Sequence, residues 1–122
     1  MSDLLDLTTD LIAIRKKPTT QDRFKQYPQM LLRFRDLVTA CDDAKLLKQV
    51  IKLDSGYYLL AGDRQLVIEK LLDIERTPSI LRIYAMQLEL FGDVDEFGEA
   101  DLEIDARVQA LYDEADGLDD NL

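Results

Sequence analysis

Apolar residues recur at three- and four-residue steps along most of the chain, the period of helices that bury one face. In 4–14, Leu4, Leu7, Leu11 and Ile14 share a side with Leu5 and Ile12 next to them, while Asp6, Thr9, Asp10 and Ala13 fill the other. Ser2 is placed to cap this helix. Lys16-Lys17-Pro18 is placed to end it, because cations suit the C-terminal dipole and proline disfavours helix in the residue before it. A second helix is expected from near Thr20, interrupted or restarted at Tyr27-Pro28, after which Met30, Leu31, Phe34, Leu37, Val38 and Cys41 form one apolar face. Asp42-Asp43 opens a third, with Leu46, Leu47, Val50 and Ile51 inward and Lys45, Lys48 and Lys52 outward.

Shifting the chain by 30 residues aligns 50–75 with 80–105 without a gap. Leu60, Gly62, Asp63, Glu69, Leu72 and Ile74 then meet Leu90, Gly92, Asp93, Glu99, Leu102 and Ile104. Each unit reads as helix, Gly-Asp turn, helix, with glycine supplying a left-handed stop and aspartate the next cap. Thr77-Pro78 between the units is a cap followed by proline at the first helical position. The expected fold is therefore all-α: antiparallel helical hairpins able to stack as a short α-solenoid, in one domain over 1–116, followed by a disordered acidic tail at 117–122. A rival reading is α+β. Val50–Leu53, Tyr57–Ala61 and Leu66–Ile68 are short apolar runs separated by Asp54-Ser55-Gly56 and Gly62-Asp63, which are also hairpin signals, so a small β-meander at 50–68 is the alternative.

With 122 residues, 47% of them hydrophobic, the chain has the size and composition of a single globular domain. No apolar run reaches the length of a membrane span, and Cys41, the one cysteine, has no internal disulfide partner. A cytoplasmic, membrane-free protein is the expectation. Charge changes the picture most. Residues 1–91 hold fourteen Lys and Arg against thirteen Asp and Glu, whereas residues 92–122 hold twelve acids and only Arg107. The formal net charge of −10 thus belongs to the C-terminal segment. Such a segment attracts basic surfaces and repels phosphate backbones, so direct nucleic-acid binding through this end is not expected.

Candidate chemistry is sparse. Histidine is absent, which removes the commonest general base and metal ligand, and the five glycines form no phosphate loop. No catalytic site and no cofactor are expected. Residues 93–104 place Asp93, Asp95, Gly98 and Asp101 at calcium-loop positions, but Phe97 and Ile104 stand where oxygen ligands are needed, so no specific metal site is expected. The row Lys45, Lys48, Lys52, with Arg33 and Arg35 near in sequence, reads as a solvated face.

The last helix is the best functional candidate. Ile104, Val108, Leu111, Tyr112 and Ala115 form an apolar stripe on an otherwise acidic surface, and Asp113, Glu114 and Asp116 sit at the wrong end of the dipole. That end should fray unless a cation-rich surface meets it, and neutralising the three acids should leave stability unchanged or raised. The expected function is a non-enzymatic interaction or regulatory module that engages a basic protein surface through 92–122, with Asp105, Val108, Tyr112, Asp113, Glu114 and Asp116 as contacts. The alternative is a calcium-type, metal-responsive protein using the acids of 93–105.

Overall fold

The computed structural model describes residues 3–16, 21–94, 100–101 and 104–120. The described residues form α1 (Asp3–Lys16), α2 (Gln21–Ala40), α3 (Ala44–Leu53), α4 (Ala61–Ile74), α5 (Pro78–Phe91) and α6 (Asp105–Asp120). Between α5 and α6, β1 (Asp93–Val94) and β2 (Ala100–Asp101) pair antiparallel, Asp93 opposite Asp101 and Val94 opposite Ala100. This pairing joins two residues to two and leaves the fold all-α. No described helix is long and apolar enough to cross a membrane.

The apolar stripes explain the packing. Leu4, Leu11 and Ile12 of α1, Phe34 and Val38 of α2, and Leu47 and Val50 of α3 enter one core with Val67, Ile68 and Leu71 of α4. Leu81, Ala85 and Leu88 of α5 extend it to Val108, Leu111 and Ala115 of α6. Helix α1 lies against α2 and α3, α4 against α2, α3 and α5, and α6 mainly against α5. Two helix starts follow the expected chemistry: Asp43 accepts from the backbone N–H groups of Lys45 and Leu46, and Thr77 accepts from that of Ile80, with Pro78 opening α5. Gly92 ends α5 at φ 75, a backbone conformation that only glycine adopts freely.

Four expectations are corrected. Helix α2 runs through Pro28 without a restart. The ring forfeits one backbone hydrogen bond, and the buried Phe34 and Val38 hold the helix in place beyond it. Gly62-Asp63 is no turn: both residues lie in the first helical turn of α4, whose cap position is Leu60. A Cβ at Gly62 would stand 3.2 Å from Val94 Cγ1, so this glycine admits β1 against α4. The turn falls instead at 54–60, which aligns under the 30-residue shift with helical 84–90, so the two segments are not one repeated unit. The β-meander is absent, since 50–53 and 61–68 are helical and no described residue between them is in a strand. Finally, α6 continues through Gly117 to Asp120, into the expected disordered tail, and Arg82 donates to Asp119 in its last turn. The Ser2 cap, the Lys17–Thr20 turn and the end at 121–122 lie outside the described residues.

Candidate functional site

Helix α6 divides its side chains between two tasks. Its apolar stripe closes the core: Val108 is 6% exposed, Leu111 and Ala115 are buried with it, and so is Ile104 immediately before the helix. Val108 is therefore no surface contact, contrary to expectation, because α5 offers an apolar face that the stripe covers. Tyr112 is half-buried, and its hydroxyl donates to Glu89 Oε2 at 3.3 Å. The carboxylates take the outer side. Asp105 is exposed in the first turn, where the helix dipole favours it, and exposed Asp113 accepts from Gln109 Nε2 at 3.0 Å.

The cation-rich surface that the acidic end requires belongs to the chain itself. Arg76, in the α4–α5 connection, donates from Nε and Nη2 to the two carboxylate oxygens of Glu114 at 2.6 and 2.9 Å. Arg82 on α5 donates from Nη2 to Asp116 Oδ1 at 3.0 Å and also to Asp119. The Arg76 guanidinium holds the Glu114 carboxyl below the usual glutamate range. These pairs are solvent-exposed, so each contributes only modestly to stability. They nevertheless revise the effect of neutralising Glu114 or Asp116, which leaves an arginine short of a partner.

At the other end of α6, Arg107 donates to Asp93 and, at 2.7 Å, to the Tyr84 hydroxyl, which donates to Glu69 Oε2 at 3.0 Å. Burial, and then the Glu69 charge, push the Tyr84 ionisation well above the ordinary 10.0. The folded state therefore keeps a proton that the unfolded chain releases above that value. This contribution to stability is fully present below pH 10.0 and declines as pH rises toward the folded value. Tyr84→Phe is expected to flatten the alkaline loss of stability in urea titrations at neutral and alkaline pH. Equal alkaline slopes for parent and variant would remove Tyr84 from that role.

Of the acids considered for calcium, Asp93 has both oxygens engaged, Oδ1 by Gln65 Nε2 at 2.7 Å and Oδ2 by Arg107. The Gln65 side-chain oxygen Oε1 also accepts from the Val94 N–H at 3.0 Å, so this glutamine clamps β1 to α4. Asp95, Phe97 and Gly98 lie outside the described residues, among which no group of three or more His, Cys, Asp or Glu side chains is placed to hold a metal ion.

Sequence reasoning missed three features. Asp54, read only as part of a turn signal, is 0% exposed. It organises the 54–60 loop by accepting from the Tyr58 and Leu59 backbone N–H groups and from Arg64 Nη1. Beside that loop, a cleft of about 150 Å³ opens between the end of α3 and α5, with Ile51, Ile83 and Met86 in its wall. Third, the partners of the acidic end, Arg76 and Arg82, were not anticipated. One signal was present: Arg82 has no acidic residue three or four positions away on its own helix. No family model, curated protein or solved structure matches the chain.

Proposed function

We propose that this chain is a non-enzymatic protein-interaction module whose acidic C-terminal segment, 92–122, engages a basic surface on a partner protein. One observation carries the reading: the core consumes the apolar stripe of α6, so the helix presents carboxylates to solvent. Asp105 and Asp113 are exposed and carry no arginine partner among the described residues, and the Asp116 side chain stays 69% exposed despite Arg82. Their field reaches beyond contact distance and steers a cationic partner toward this side of the molecule.

The test compares parent chain with Asp105→Asn/Asp113→Asn, a pair chosen because it breaks no bridge to an arginine. A partner captured from native lysate and eluted by salt is purified, and its association rate is measured as ionic strength rises. The parent is expected to associate faster at ~0.1 M salt, where the Debye length is ~10 Å, and to lose that advantage near ~1 M, where it is ~3 Å. Equal rates for the two proteins across the range would reduce the acidic face to a solubilising surface.

A further inference from the structure

Helix α5 keeps an apolar stripe that the core does not use. Met86 and Leu90 are 48% and 57% exposed, and Ile83 is partly so. These three share one face at helical spacing, while the buried Leu81, Ala85 and Leu88 occupy the opposite one. The 54–60 loop widens the stripe on one side. The Tyr57 hydroxyl donates to Met86 Sδ at 3.8 Å, and the Tyr57 ring centroid lies 5.9 Å from that of Phe91. A contiguous exposed surface of Leu, Met, Tyr and Phe side chains has the composition of an interface core.

The charges beside the stripe select its occupant. Arg82 and Glu89 lie seven residues apart on the flank nearer α6, where Arg82 binds Asp116 and Asp119 and Glu89 accepts from Tyr112. Ile83 and Leu90, also seven apart, lie on the flank nearer Tyr57. Met86 stands midway. With a rise of about 1.5 Å per residue, Arg82 and Ile83 sit about 6 and 4.5 Å to one side of Met86, and Glu89 and Leu90 about 4.5 and 6 Å to the other.

A two-fold axis crossing the helix at Met86 therefore carries Glu89 of a second copy to the level of Arg82, and its Leu90 to the level of Ile83. Cation meets anion on one flank, apolar meets apolar on the other, and Met86 meets itself. A parallel copy would instead set both charges against apolar side chains. Arg82 gives Nη2 alone to Asp116 and Asp119, so its Nε and Nη1 have no acceptor among the described residues.

We infer that the exposed face of α5 is an isologous contact, on which a second copy of this chain packs its own α5 antiparallel with Arg82 of each copy bridging Glu89 of the other. The contact goes beyond the proposed function and does not rest on it. One helix face and a loop fall short of the ~800 Å² per partner of a standard interface, and chains of net charge −10 repel, so the dimer is weak. The full chain is examined by sedimentation equilibrium from ~10 μM to ~1 mM in ~0.15 M salt, where the Debye length is ~8 Å.

Reversible dimerisation is expected. Met86→Lys should weaken it about tenfold or more, since two ammonium groups then meet on the axis. Arg82→Glu and Glu89→Arg should each weaken self-association several-fold, whereas an equimolar mixture of the two should form a heterodimer with both bridges restored in reversed sense. A further measurement does not depend on the Arg82 variant folding. In a Cys41→Ser background, Met86→Cys brings two thiols together, and ferricyanide should link them well before it links Leu32→Cys, a 60% exposed position on α2. A parent chain that stays monomeric to ~1 mM would overturn the contact. So would a dimer that survives Met86→Lys and cross-links equally fast through either cysteine. Folded charge variants that fail to pair with each other would overturn the antiparallel register.

Discussion

Replacing Arg64 with methionine is expected to destabilise the fold by roughly 3–5 kcal/mol, because it strands the Asp54 carboxylate in the interior. The two side chains approach to 3.0 Å, with Asp54 at 0% exposure and Arg64 at 8%. Arg64 Nη1 also donates to the Asp54 backbone carbonyl at 2.9 Å, so its loss unties both the carboxylate and the backbone that begins the loop. The midpoint of thermal unfolding should fall by about 10–20 °C for a domain of this size. Asp54→Ala should be comparably damaging, since it leaves a buried guanidinium without its counter-charge and the Tyr58 and Leu59 N–H groups without an acceptor. The double variant should be less destabilised than the two singles combined, because neither buried charge then lacks its partner. Single variants within ~1 kcal/mol of the parent would show that the loop is held by other contacts.

The second large effect separates the two tasks of α6. Val108→Asp puts a carboxylate among Leu88, Leu111 and the rest of the core and is expected to destabilise by on the order of 3 kcal/mol. Asp113→Asn, on the same helix but exposed, should stay within about 0.5 kcal/mol of the parent. Urea unfolding of the two variants provides the measurement. If Val108→Asp proves as stable as Asp113→Asn, the stripe does not close the core and is free to meet a partner.

How much of this was legible in the sequence differs from residue to residue. Leu47 and Val50 in α3, Leu111 and Ala115 in the last helix, and Ile104 immediately before it are buried where their spacing places them. A period of 3.6 reports a face directly. The caps Asp43 and Thr77 were equally readable, being local chemistry over three residues. The failures share a different cause. Gly62-Asp63 has turn composition, but Gly62 is small because Val94 packs on it. Asp63 is paired with Arg35 of α2 at 2.6 Å. Both reasons are tertiary and lie about 30 positions away in the chain, beyond the reach of any local rule. The same holds for the candidate site: its acids were plain, but whether their partner was a foreign protein or the chain itself depended on Arg76 and Arg82 arriving from another element.

Arg82 belongs to two settings at once, the rim of the cleft and the last turn of α6. Thermodynamic linkage makes these settings reciprocal. Any ligand that drew the guanidinium toward the cleft would compete with Asp116 and Asp119, and would weaken their hold by the same coupling free energy by which they weaken its binding. Anything that loosens that helix end returns the same free energy to the cleft. The affinity of one and the order of the other are therefore two measures of a single equilibrium.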